Sequence, residues 1–134
     1  MFTDECYIIL RNPAFSRVGA GELVAIADAD SGRLDEASEQ WSCPGYSSHE
    51  EMIDAHDDLE AVIICTPPVT HEAISCSALE RGLHVLCEKP LSTTSASAER
   101  MRIAAEKAGR ILTMASKFRY VCDVMAAKEL ISYG

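Results

Sequence analysis

Glu88, Lys89 and Pro90 put a carboxylate, an ammonium and a ring-locked backbone directly after the apolar run Val85, Leu86 and Cys87. An ammonium so placed can hydrogen-bond an oxygen and stabilise charge that develops on it. In an open α/β sheet, ligands bind just outside the carboxyl ends of the strands, so a Glu-Lys pair ending a buried strand faces a crevice and not the core. The competing reading is a surface ion pair at a turn. A second run of this kind, Ala61, Val62, Ile63, Ile64 and Cys65, lies about one β-α-β unit upstream and leads into Thr66, Pro67, Pro68, Val69, Thr70 and His71. Pro67 and Pro68 remove two backbone N–H donors, which breaks the ladder and lets the chain pass close beneath a ligand.

Composition narrows the function classes. The 134 residues are 48% apolar, enough for one domain with a sizeable core. Twelve basic against 21 acidic side chains give a net charge of −9, with no basic patch, which argues against nucleic acid or an anionic membrane as partner. No run approaches the ~18 apolar residues of a membrane span. The amino terminus has neither the basic flank nor the apolar stretch of a signal peptide, so the expected compartment is cytoplasmic. Cys6, Cys43, Cys65, Cys76, Cys87 and Cys122 form no CxxC pair and read as small core residues in a reducing compartment. His49, His56, His71 and His84 lack metal-ligand spacing, so no metal is expected.

Residues at strand ends need strands alternating with helices, and the chain supplies them. Residues 23–27 read as a short buried strand ending in Asp28, Asp30, Ser31 and Gly32, and 33–40 as a helix. Ser48 precedes Glu51 by three residues, as in a capping box, at the start of a short helix over 50–55. Residues 59–65 are apolar without alternation, as a strand covered on both faces should be. A helix over 72–81 stops at Gly82 in the left-handed conformation. Residues 83–87 are again a strand. Ala98, Met101, Ala105 and Ala108 form one stripe of a helix over 95–108, with Gly109 as its cap. Residues 111–115 read as a strand and 121–131 as a last helix. The order predicts an α/β fold with a doubly wound parallel sheet, all carboxyl ends on one edge.

Four stretches now carry a resemblance: 22–30 with Asp28 and Asp30, 61–71 with Thr66, Pro67, Pro68 and His71, 82–91 with Glu88, Lys89, Pro90 and Leu91, and 116–120 with Arg119. In order and spacing they resemble the N-terminal half of the glucose-fructose oxidoreductase / inositol 2-dehydrogenase (Gfo/Idh/MocA) family. The Glu-Lys-Pro tripeptide is the most specific sign. The resemblance implies an NAD(P)-binding Rossmann domain, followed in the family by a larger substrate domain, and hydride transfer at a sugar, polyol or related carbon.

Within that frame each residue acquires an expected role. A carboxylate closing the second strand of a dinucleotide fold accepts hydrogen bonds from the adenosine ribose diol, so Asp28 favours NAD over NADP. A solvated turn acid is the plain alternative. Arg33 keeps NADP open, because a guanidinium can stack on adenine or meet a 2′-phosphate. The resemblance implies that Thr66, Pro67 and Pro68 line the ribose and pyrophosphate, with His71 opening the next helix. It implies Lys89 at the active site, with Glu88 and Pro90 shaping the nicotinamide pocket. Beside a nicotinamide, Lys89 can hydrogen-bond the substrate hydroxyl as hydride leaves. Arg119 is a further candidate for the same crevice.

The front of the chain departs from the family pattern. A dinucleotide domain opens with a strand, a GxGxxG turn and a helix that holds the pyrophosphate, whereas here Gly19 and Gly21 precede the second strand. Phe2, Cys6, Ile9 and Leu10 fit one helical face, with Thr3 as N-cap and Asp4 and Glu5 in the first turn. Residues 3–12 therefore read as a remnant of the first helix, with strand one and the glycine loop absent and the domain truncated at both ends. The missing strand is central. Two unpaired ladders would face each other across its gap unless residues 7–10, or another copy of the chain in a homo-oligomer, fill it. The expectation is the dinucleotide-binding domain of an oxidoreductase, meeting a small-molecule substrate only if a second domain is supplied. The alternative is a non-catalytic nucleotide-binding or interaction remnant. A phosphorylation receiver fails on its acceptor: Cys65, Thr66 and Pro67 stand where an aspartate belongs.

Overall fold

The computed structural model describes residues 8, 9 and 22–133; the readings on Cys6, Gly19, Gly21 and the rest of 3–12 lie outside the described residues. Strands β1 (Ile8–Ile9), β2 (Ile26–Ala27), β3 (Gly45–Tyr46), β4 (Ala61–Ile64), β5 (His84–Glu88) and β6 (Leu112–Ala115) form one sheet in the order β3-β2-β1-β4-β5-β6. Between and after them come helices α1 (Ser31–Trp41), α2 (His49–Asp54), α3 (His71–Glu80), α4 (Ser95–Ala108) and α5 (Cys122–Tyr133), with a 3-10 turn at Lys117–Tyr120.

β4 pairs in parallel with β5 from Ala61 opposite His84 to Ile64 opposite Cys87, and β5 with β6 from Val85 opposite Leu112 to Glu88 opposite Ala115. β2 and β3 are also parallel. β1 runs antiparallel to both β2 and β4, so those two share one direction and the five strands other than β1 end at one edge. One expectation is corrected here: Ile8 and Ile9 are strand and not helix, and they fill the central gap, the alternative given for residues 7–10. The strands expected to be parallel are parallel, and β1 runs against them. A local helical periodicity gives way where two flanking strands offer unpaired N–H and C=O groups, which are costly to leave buried and unmade.

Side chains at the helix ends explain where the helices begin and stop. Asp30 caps α1 by accepting the Arg33 N–H at 2.9 Å. Ser48 caps α2 by accepting the Glu51 N–H at 3.1 Å, while the Glu51 carboxylate takes the Ser47 hydroxyl at 2.7 Å. Thr94 caps α4 through the Ser97 N–H, and Gly109 closes it at φ 63°. Gly82 follows α3 at φ 80°.

The core shows how the helices divide between faces. Ala25 and Ala27 pack with Met52, Val62, Ile64, Leu79, Val85, Cys87 and Met101, whereas Ile26 packs with Leu23 and Ala37. Successive strand residues point to opposite faces, so α1 lies on one face of the sheet and α2, α3 and α4 on the other. In β4, Val62 and Ile64 are buried while Ala61 and Ile63 are only half-buried. The uninterrupted apolar run therefore serves one well-covered face, and the expected full cover on both is not seen. No helix among the described residues is long and apolar enough to cross a membrane.

Candidate functional site

The shared direction of β2, β3, β4 and β5 delivers Asp28, Ser47, Thr66 and Glu88 to the same edge. Asp28 is 3% exposed. Its Oδ1 accepts the Asp30 N–H at 2.8 Å, and Arg33 donates from Nε to Oδ2 and from Nη2 to Oδ1, each at 3.2 Å. Arg33 can reach because Asp30 fixes the first turn of α1. The bond from the Arg33 backbone holds the Asp30 carboxyl below its ordinary pKa, and the Arg33 charge adds to the effect.

Beside Asp28 a cavity of about 210 Å³ is lined by Ser47, Ser48, His49, Thr66 and Thr70. The His49 Nδ1 lies 3.0 Å from the Glu50 carboxylate, and its Nε2 is buried without a partner among the described residues. Burial lowers the His49 pKa, the Glu50 charge opposing and the Arg81 charge assisting. The Thr66 hydroxyl accepts from the Thr70 hydroxyl at 2.7 Å, and the Pro67 carbonyl accepts the Thr70 N–H at 2.9 Å. The Thr66-Pro67-Pro68 loop is thereby folded onto the start of α3.

His71 does more than open that helix. Its ring is fully buried, with Nε2 2.7 Å from the Thr66 carbonyl oxygen and Nδ1 2.9 Å from that of Pro90. At the end of β5, Glu88 Oε2 accepts the Lys89 N–H at 2.5 Å, the Lys89-Pro90 peptide bond is cis, and Lys89 is exposed. The structure thus gathers Asp28, Arg33 and Thr66 around one end of the edge and links Thr66 to Pro90 through His71. Arg119 stands exposed on the 3-10 turn after β6, outside the cavity.

Sequence reasoning missed Ser47, Ser48, His49 and Thr70 as cavity residues. β3, which delivers the first three, is two residues long and leaves no alternation to read, although the Ser48 capping signal marked the helix that starts there. Burial pushes the Cys87 thiol up to about 11, so it offers no thiolate. No three His, Cys, Asp or Glu side chains converge as a metal site among the described residues. A larger groove of about 640 Å³ lies between α4 and β6 and contains none of the predicted site residues.

Known proteins resemble the chain in sequence and in fold. Residues 8–116 match the model of the GFO_IDH_MocA oxidoreductase family, which has an NAD-binding Rossmann fold. Inositol 2-dehydrogenase 4 of Saccharopolyspora erythraea is 38% identical over 104 residues, 77% of this chain and 30% of that protein. The WlbA dehydrogenase of Bordetella pertussis, solved with NADH and UDP-GlcNAcA, superposes with a TM-score of 0.85 at 28% identity, over 91% of this chain and 35% of that one. KijD10, a 3-ketoreductase of Actinomadura kijaniata solved with NADP and TDP-benzene, gives 0.81 at 28% identity, over 91% and 37%. The chain spans about a third of the length of these relatives. With the family match running from β1 to the end of β6, and the edge residues on the strand ends where that fold keeps its ligands, the chain belongs to the Gfo/Idh/MocA oxidoreductase family and has the fold of its NAD-binding Rossmann domain.

Proposed function

We propose that the carboxyl edge of the sheet binds NAD as an extended ligand, its adenosine end in the cavity beside Asp28 and its nicotinamide end over Glu88, Lys89 and Pro90. The reaction served is hydride transfer to or from a sugar, polyol or related small molecule. The observation that carries this reading is Asp28 itself: a buried carboxylate closing β2, held by Arg33 and the Asp30 N–H at the mouth of a cavity. The cavity chemistry fits a nucleoside. A carboxylate, a threonine hydroxyl and the unpartnered His49 Nε2 offer acceptors and donors to a ribose diol and a purine edge.

NAD supplies the ring that takes or gives the hydride. The chain does the rest. Asp28 accepts from the ribose hydroxyls, and its charge favours NAD; Arg33 is the group that would meet adenine or, with NADP, the 2′-phosphate. Thr66, Pro67 and Pro68 line the ribose and pyrophosphate, and His71 holds their loop. Lys89 donates to the substrate oxygen as charge develops there, with Glu88 and Pro90 shaping the pocket. Arg119 is assigned to the substrate side of the same crevice. Selection of the substrate belongs to a second domain, in the arrangement that family resemblance implies.

Calorimetric titration of the full chain with NADH and NADPH tests this. Asp28→Ala should weaken NADH about tenfold, the loss of hydrogen bonds to a charged group. Lys89→Ala should leave NADH affinity within about twofold and, once a substrate domain is joined, lower kcat by about 10²-fold. A wild-type chain that binds neither dinucleotide overturns the reading.

A further inference from the structure

We propose that His71 is a positioning residue for the nicotinamide end of the site: a buried double donor that ties the carbonyl ending β4 to the carbonyl of Pro90. This rests on the dinucleotide reading above. The two acceptors are backbone oxygens, at 2.7 Å from Nε2 and 2.9 Å from Nδ1. A carbonyl oxygen only accepts, and a neutral imidazole carries one N–H. The doubly protonated ring satisfies both contacts, whereas a neutral ring sets a lone pair of one nitrogen against an oxygen at hydrogen-bond distance. Complete burial keeps water from taking either place.

The two tethered loops are unequally supported. Thr66 is also held through its hydroxyl by Thr70, and its neighbour Pro67 accepts the Thr70 N–H. Pro90 has no N–H to give, and its carbonyl faces the His71 ring. Removing the ring therefore takes from the Pro90 loop its tie to α3, leaving it the bond from the Lys89 N–H to Glu88, and spares more of the loop that lines the adenosine cavity. His71 touches neither ligand in this scheme. It acts through the Pro90 carbonyl on the backbone of the Glu88-Lys89-Pro90 loop that shapes the nicotinamide pocket, and not through the Lys89 ammonium.

The test uses the full chain and separates the two ends of the ligand by comparing NADH with ADP-ribose, which lacks the nicotinamide. His71→Gln keeps a donor near the Nε2 position and gives up the one toward Pro90. It should weaken NADH about tenfold and ADP-ribose by no more than about twofold. Equal losses on the two ligands, as a merely structural role would give, overturn the proposal, and so does an unchanged NADH affinity. A second measurement needs neither ligand nor variant. At about pH 6, where an exposed histidine is largely protonated but its ring protons exchange too fast to be seen, the wild-type chain should show two protected His71 ring N–H signals in nitrogen-edited NMR. A single protected signal overturns the double donor. Both signals in a chain that binds neither ligand would defeat the dinucleotide reading and leave the clamp standing.

Discussion

Thr66 and Glu88 stand at the ends of β4 and β5, which share a four-residue parallel register, and β5 shares another with β6. Asp28 stands at the end of β2, which pairs over two residues with β3 and two with β1. On the first side the backbone ladder places the side chains. On the second, side chains place the carboxylate: Arg33 grips it, Asp30 turns its amide toward it, and Asp30 also starts the helix that carries Arg33. A strand end can thus be fixed by register or by a bracket of charged groups, and only the bracket is open to removal by one surface substitution.

The largest separation between the two sides should appear in core truncations. Ile64→Ala removes a fully buried side chain from the large cluster and should cost about 2–5 kcal/mol in urea unfolding of the full chain. Ile26→Ala, in a cluster of three buried residues, should fall at the low end of that ~2–5 kcal/mol range, because fewer neighbours lose contacts. Equal costs would erase the distinction. A smaller effect is expected at glycines. A Cβ on Gly45 would run into the Ser38 hydroxyl and lie 2.9 Å from Leu34 Cδ1, so Gly45→Ala should cost about 1–3 kcal/mol as α1 is pushed off β3. Gly109→Ala meets nothing within 4 Å but keeps φ at 63°, for about 1 kcal/mol. Thermal melts that rank Gly109→Ala as the more damaging would mean α1 is not seated on β3.

The smallest effect belongs to the pair Glu72 and Arg100, which joins α3 to α4. Hydrogen bonds from Arg100 first, and Ser97 next, bring the Glu72 carboxyl down to about 2 from an ordinary 4.5. A folded value below the unfolded one gives stability that is present above about 4.5 and lost as pH falls toward 2. Both side chains reach solvent, so salt should shrink the effect. Arg100→Gln should flatten this part of the stability profile; an unaltered slope would show that the pair contributes nothing.

The two sides also differed in how far the sequence exposed them. The helix over 95–108 was legible to the residue at both ends, because its stripe and its Gly109 stop are both local signals. β4, β5 and β6 were legible to within two residues from their apolar runs. β3 was not, since two residues hold no period. Residues 8 and 9 carry a helical pattern, because Ile9 and Leu10 fit one face with Phe2 and Cys6, and nothing local records that two distant strands await a partner. At the site, Asp28, Thr66, Glu88 and Lys89 were visible as strand endings. The pairing of Arg33 with Asp28 and the bond from His71 to Pro90, 19 residues away, depend on the fold and leave no spacing to detect.

The reversed polarity of β1 bears on the middle of the proposed ligand. Its carboxyl end lies at the edge opposite Asp28, Thr66 and Glu88. In a dinucleotide fold, the turn that follows the central strand presents helix amides to the diphosphate. The strand order is kept while the sense of its central strand is reversed, so the shared direction that brings Asp28, Thr66 and Glu88 to one edge does not extend to the carboxyl end of β1.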